Sequence, residues 1–300
     1  PPPPLPTVAI CAIVKNQTAD LPEWLAWHAG VGVRHVFLYD HASSPALDPA
    51  SPPLAPFFSA GLLTLVTAPP DAGAAHPSGR AQLWAYDDCL EVYGRGKARA
   101  GPGAPPTGVD PAAWGRVASS LRTAAAPSPP PPRPAWLAFI DVDEFMVPTG
   151  ADSTNLTVGA PPPDAIPAAV AAFAASHPAA GGWALDWVLF GSSGWAARPP
   201  GGVLASYTAC LPPDDPENTH VKSIVRVART LRVGRDPHHF LYTPGGPGAL
   251  NGRGQVVPGG VASALGPAAY EFLALHHYAT KSRAEYAAKI PVPEALKGPW

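Results

Sequence analysis

"TVAICAIVKNQTADLPEWLAWHAGVGVRHVFLYD", residues 7–40, decides the fold. Residues 7–14 are a short continuous apolar run with β-branched side chains, the pattern of a buried strand. Asp20 can cap a helix with Pro22 in its first turn, and Gly30 and Gly32 can stop it. Leu21, Trp24, Leu25 and His28 then share one face. "RHVFLYD", residues 34–40, is a second apolar strand that ends in Asp40. Strand, helix, strand in close succession is a βαβ unit, and such units build parallel sheets.

The rest of the chain extends that unit. "GLLTLVTA" (61–68) reads as a third strand, and Ser78 can cap a helix over "GRAQLWAYDDCLEVYG" (79–94). "PAWLAFIDVD" (134–143) is the next buried strand, and Asp164 opens an alanine-rich helix to His177. "GGWALDWVLFGSSG" (181–194) is a strand running into a glycine-serine turn. "HVKSIVRVA" (220–228) alternates, which puts Lys222, Ile224 and Arg226 on one face. In "KSRAEYAAK" (281–289), Ser282 and Glu285 fit the capping box of a last helix. No internal repeat is visible. The expected fold is α/β, a Rossmann-type mixed, mostly parallel sheet flanked by helices.

Composition narrows the function classes. Three hundred residues, 46% of them hydrophobic, suffice for one large α/β core. A net charge of −2 leaves no nucleic-acid footprint and no membrane-surface patch. The 43 prolines and 29 glycines fall in blocks. Residues 1–6 read as the end of a proline-rich spacer, and 7–300 as one domain carrying Pro/Ala/Gly-rich insertions near 98–112, 124–134 and 149–163. Cys11, Cys89 and Cys210 are odd in number and lack metal spacing, so they read as lone buried thiols. No apolar run approaches the ~18 residues of a membrane span. No signal peptide is visible, so any anchor is expected outside this sequence. Two glycosylation sequons occur, at Asn16 and Asn155. Asn155 is expected in a loop able to carry a glycan, and Asn16 to stay unmodified.

Chemistry concentrates in "WLAFIDVDEFMVP", residues 136–148. A chain only 14% charged puts Asp141, Asp143 and Glu144 at the end of its most hydrophobic segment. Open parallel sheets bind ligands outside the carboxyl ends of their strands. In an extended stretch, residues i and i+2 point the same way, so Asp141 and Asp143 can face one ligand while Val142 packs opposite. Two close carboxylates need a compensating cation, and a hard divalent ion, Mg²⁺ or Mn²⁺, supplies it while binding substrate phosphates. Asp40, ending another strand, can accept hydrogen bonds from a ribose or base; it also suits a turn before "HASSP".

Together, "KNQTADLPEWLAWHAGVGVRHVFLYDHASS", "AQLWAYDDCLEVY", "WLAFIDVDEFMVP", "DWVLFGSSGW", "VKSIVRV" and "HHYATKSRAEYAAK" resemble glycosyltransferase family 92, inverting enzymes with the GT-A nucleotide-sugar fold. They come in the family's order from about residue 8 to 289. The resemblance implies that Asp141 and Asp143 form the D-x-D element that holds the cation, Mn²⁺ or Mg²⁺, and the sugar-nucleotide. Asp40 would contact the nucleoside, with Lys15 and Asn16 nearby. A late histidine commonly completes the metal shell. His277 fits it, since the family has asparagine or another small residue where His276 stands.

The implied reaction moves a hexose, galactose favoured, from a UDP-sugar to a hydroxyl of a glycan or polysaccharide. The resemblance also implies a location in the Golgi lumen, as a type II membrane protein in full length. Lys222 and Arg226 are the candidates for stabilising the leaving group, with Lys281 weaker. Asp186, set among aromatics that can raise its pKa, is the candidate base, with Asp214, Asp215 and Glu217 competing. Trp187, with Trp183 and Trp195, can stack on an acceptor sugar, and Ser192 and Ser193 in "FGSSG" suit close approach to it. Asp87 and Asp88 read as structural, bonding neighbouring loops.

Two other classes compete. An aspartate-nucleophile phosphohydrolase also uses a strand-end D-x-D, but there the motif follows the first strand and has Thr or Val where Phe145 stands here. A non-catalytic carbohydrate-binding or wall-associated protein would fit the proline-rich start and the nine tryptophans.

Overall fold

The computed structural model describes residues 4–68, 72–97, 112, 133–150, 162–260, 262 and 265–289. Asn155, half of the spacer and most of the three expected insertions lie outside them. The strands are β1 (Val8–Val14), β2 (His35–His41), β3 (Leu63–Ala68), β4 (Trp136–Phe139), β5 (Glu144–Gly150), β6 (Gly182–Leu189), β7 (Val221–Arg226), β8 (Thr230–Val233), β9 (Phe240–Tyr242), β10 (Ala249–Leu250) and β11 (Phe272–His277). The main helices are α1 (Leu21–Gly30), α2 (Ala55–Ser59), α3 (Ala81–Cys89), α4 (Ala165–Ser176), the single turn α5 (Val203–Ser206) and α6 (Arg283–Lys289).

One mixed sheet runs in the order β3-β2-β1-β4-β7-β6-β11-β5, with β10 added beside β6; β8 and β9 pair separately. β3, β2, β1 and β4 are mutually parallel, as the opening βαβ unit requires. β7 runs against both β4 and β6, and β5 against β11, so the sheet is mixed as expected.

Strand alternation divides the core between two faces. Val8, Ile10, Ala12 and Val14 of β1 join one apolar cluster, with Leu21, Trp24 and Leu25 of α1 and Ile166, Val170 and Phe173 of α4. Ala9 and Cys11 join a second cluster, with Leu83, Trp84 and Tyr86 of α3. The sheet therefore lies between helices on both sides, and its first strands read as unbroken apolar runs for that reason. Leu21, Trp24, Leu25 and His28 are buried along one face of α1 as their spacing predicts.

Several local expectations change in three dimensions. Cys11 and Cys89 are buried as expected but bonded to each other, tying β1 to the end of α3; Cys210 is free and exposed. Spacing hid the bridge because the partners are 78 residues apart. Asp20 stands at the N-cap of α1 without capping it; its carboxylate bonds Lys281 and Arg198 instead. Asp164, with φ 65°, likewise leaves the N-cap bond unmade and pairs with Arg34 at 2.5 Å. Gly32 (φ +97°) packs so closely that a Cβ would stand 2.5 Å from the Asp164 Cα. The capping box forms: Glu285 N–H donates to Ser282 Oγ and Ser282 N–H to Glu285 Oε2, both at 3.3 Å.

Candidate active site

β1 has β2 on one side and β4 on the other, so the direction in which strands are added reverses there. Their loops diverge at that point and leave a crevice at the carboxyl ends. A cleft of about 280 Å³ opens there. Ile13, Val14, Lys15 and Gln17 line it from the end of β1 and His41 from the end of β2. Ala81 and Gln82 of α3, the Asp141–Asp143 segment and Lys289 of α6 close it.

Asp141 and Asp143 both reach this cleft, but not by strand alternation. β4 ends at Phe139, and residues 142–143 form a turn in which Glu144 N–H donates to the Asp141 carbonyl at 3.1 Å. The turn, and not an extended strand, delivers both carboxylates to one space. Val142 packs into the main core while also bordering the cleft.

Each acid has its own ammonium partner. Lys222, 1% exposed, donates to Asp141 Oδ2 at 2.8 Å, and its Nζ lies 3.9 Å from Glu144 Oε2. Gln82 Nε2 donates to Asp141 Oδ1 at 2.7 Å. Burial disfavours the Lys222 charge, but Asp141 and Glu144 outweigh it and hold the pKa above the ordinary lysine value. Asp143, 3% exposed, accepts from Lys289 Nζ at 2.5 Å and lies 3.7 Å from His277 Nε2. Burial opposes its charge, yet His277 and Lys289 keep its pKa below the usual carboxylate range.

Glu144 is fully buried, and its Oε2 accepts the Asp141 amide at 2.7 Å. Burial raises its pKa well above the ordinary value despite Lys222. His277 is paired in register with Glu144 across β11 and β5. Burial lowers its pKa to about 4, so the imidazole is neutral near pH 7 and keeps a lone pair.

Two carboxylates and a neutral imidazole are the donor types a Mn²⁺ or Mg²⁺ site uses. Asp143 and His277 fit such an ion in kind and in adjacency, while Lys289 and Lys222 now neutralise the two acids. Among the described residues, no three His, Cys, Asp or Glu side chains are gathered closely enough to hold an ion in this arrangement. His276 faces away: it is fully buried beside Phe190, at 4.8 Å between rings.

The other candidates are distributed unevenly. Lys15 lines the cleft. Asn16 and Asp40 do not line it and instead hold the loop after β2: Asn16 Oδ1 accepts from Ser44 N at 2.8 Å, and Asp40 accepts the amides of Ser43 at 3.0 Å and Leu47 at 3.2 Å. Asp40 thus performs the turn-forming role in "HASSP". Arg226 shares a face with Lys222 but pairs with Trp136 at the amino end of β4, where it also stacks on the Trp136 ring at 4.8 Å. It is four residues, roughly 13 Å, away along the strand. Lys281 is held in the buried pair with Asp20.

Asp186 does not line the cleft. It is 1% exposed, and its Oδ2 accepts from Ala269 N at 3.1 Å. Burial raises its pKa to about 7. Trp187 stands beside His277, 4.2 Å between ring centroids, and stacks on His220 at 5.1 Å. Trp183 is core, stacked on Phe173, whereas Trp195 is 43% exposed. Ser193 Oγ accepts from Thr208 N at 2.8 Å and Ala209 N at 2.9 Å, pinning the "FGSSG" loop, and Ser192 Oγ accepts from Gly194 N at 3.3 Å. Asp215, half-buried, bonds its own turn at Glu217 N, and Glu217 and Asp214 lie exposed. Asp87 accepts Val233 N at 2.7 Å and Asp88 accepts Tyr39 Oη at 2.5 Å, which are structural roles as expected.

Gln17, His41, Gln82 and Lys289 are cleft residues that sequence reasoning passed over. Lys289 carried one signal: it closes a helix inside a segment already singled out, but there it resembles any basic C-terminal residue. No protein-family model matches the chain, and no curated protein matches it either.

Proposed function

We propose that the protein is a metal-dependent inverting glycosyltransferase of the GT-A, family 92 type, transferring a hexose, galactose favoured, from a UDP-sugar to a glycan or polysaccharide hydroxyl. The observation that carries this reading is the cleft at the β2-β1-β4 carboxyl ends, where Asp141, Asp143, Lys15 and Lys289 line one space and His277 stands 3.7 Å from Asp143. A nucleoside diphosphate is an anion that such a rim recognises through its lysines and through a cation held by its acids.

Asp143 and His277 would hold Mn²⁺ or Mg²⁺, which when bound offsets charge on the diphosphate leaving group. The chain's own residues prepare the rest. Lys222 and Gln82 fix the Asp141 carboxylate in one orientation. Lys15 and Lys289 bring positive charge to the phosphate side of the cleft. Trp187 packs on His277 and His220 and so braces the candidate metal histidine; it meets an acceptor sugar only if one of those rings gives way. Asp186 lies beneath Ala269, so an acceptor hydroxyl reaches it only if that cover moves.

A Golgi-lumen location with an anchor outside this sequence belongs to the same reading. It is supported by the buried Cys11–Cys89 bridge, which suits an oxidising compartment. Among the described residues, no helix is long and apolar enough to cross a membrane.

Donor hydrolysis screened across UDP-sugars with Mn²⁺ tests the proposal, alongside thermal melting with UDP and metal. Asp143→Ala should cut turnover by about a hundredfold or more while leaving a cooperative unfolding transition. Full activity in that variant would remove the D-x-D assignment. Protection by phosphate without uridine would favour the phosphohydrolase, and protection by free sugar alone a carbohydrate-binding module.

A further inference from the structure

Lys289 and Asp143 form a contact that a loaded donor site cannot keep unchanged. Asp143 is 3% exposed and has no solvent to turn to, whereas the Lys289 side chain is 42% exposed at the open side of the cleft. One oxygen of the carboxylate accepts from Lys289 at 2.5 Å, and the other lies 3.7 Å from His277. A divalent cation held between Asp143 and His277 would stand next to that ammonium, and two cations on one carboxylate repel strongly in a partly dry cleft.

The mobile partner is the lysine. Its stem has four rotatable carbons and is anchored only at the last residue of a seven-residue helix. Among the described residues, its remaining hydrogen bond is a 3.4 Å contact to the Ala279 carbonyl. Lys222, by contrast, is 1% exposed and fixed from below on Asp141. The two lysines that neutralise the acid pair therefore differ in kind: one is built in, the other can be released.

We propose that Lys289 is a resident counter-ion of Asp143 that yields the carboxylate to an incoming divalent cation and moves to the donor's phosphates. This rests on the donor-site reading above. It makes the residue a determinant both of the cation concentration the site needs and of donor affinity.

One substitution tests both halves, because it should move them in opposite directions. With Lys289→Met, Mn²⁺ titrated calorimetrically without nucleotide should bind about tenfold more tightly, and UDP titrated at saturating Mn²⁺ about tenfold more weakly. Labelling of Lys289 by an amine-reactive reagent, read by mass spectrometry in the unsubstituted protein, should speed up when Mn²⁺ is added. A merely structural role, docking α6, would weaken both ligands and lower the melting temperature; that result overturns the proposal. So do two unchanged affinities, or labelling indifferent to Mn²⁺. If Mn²⁺ binds neither protein, the donor-site reading falls as well, whereas normal Mn²⁺ and UDP binding insensitive to Lys289→Met sinks only the role of the lysine.

Discussion

Lys222 stays charged with 1% of its side chain exposed because Asp141 lies 2.8 Å away and Glu144 3.9 Å away. Breaking a buried pair on one side leaves the other charge unpaired, which costs more than the pair contributes. Lys222→Met should therefore lower unfolding stability by about 3 kcal/mol in urea titrations. Adding Asp141→Asn should recover part of that loss, since it removes the orphaned charge. An additive double variant would argue against the pairing. At this scale the sequence placed Lys222 and Arg226 on the correct common face, but a face has two ends. The antiparallel pairing of β7 with β4 sets Lys222 at the acid end and Arg226 at the other.

Among the elements, α3 and β1 show how the cleft is held together. β1 leads into Lys15 at the cleft, and the first turn of α3 sets Gln82 on Asp141. The bridge between Cys11 and Cys89 fastens the two elements, closing a loop of 78-residue separation. By chain entropy such a cross-link stabilises by about 4 kcal/mol. Cys89→Ser, or thorough reduction, should thus depress the calorimetric melting temperature markedly and weaken ligand binding at the cleft. A melting temperature insensitive to reductant would show that the bridge does not form in solution. The β4–β5 junction teaches a second lesson about elements. Its apolar run announced a strand correctly, yet the acids at its tip act through a turn.

The whole molecule buries imidazoles and carboxyls whose pKa shifts act against each other with pH. Burial lowers His28 and His276 to about 3, and His35 and His277 to about 4, from 6.5. Between about pH 4 and 6.5 the unfolded chain therefore binds four protons on these rings that the folded chain refuses. Asp186 and Glu144 act oppositely: their folded pKa values are raised, so the folded chain holds two protons that the unfolded chain releases. His238 is lowered by burial as well, so the balance is at least about two protons in favour of the unfolded state, which costs roughly 2–3 kcal/mol or more of stability per unit of acidification near pH 5. Melting should occur at distinctly lower temperature at pH 5 than at pH 7. A transition equal or higher at pH 5 would mean that the buried rings accept protons in the folded state.

From sequence alone came the class of fold, the helix faces, the two strand tips bearing acids and the segment that holds most of the candidate donor site. These are short-range matters, set by periodicity, by capping pairs such as Ser282–Glu285 and by where charge interrupts an apolar run. Tertiary structure alone decided which partners those residues take. It joined Cys11 to Cys89, set Lys222 and Lys289 on the two acids, buried Asp186 under Ala269 and turned Asp40 into a loop anchor. Each of those outcomes depends on strand order and on the approach of segments far apart in the chain. No local pattern encodes that approach, because hydrophobic burial is non-directional and a charged side chain is paired by whichever opposite charge the packed core brings to it.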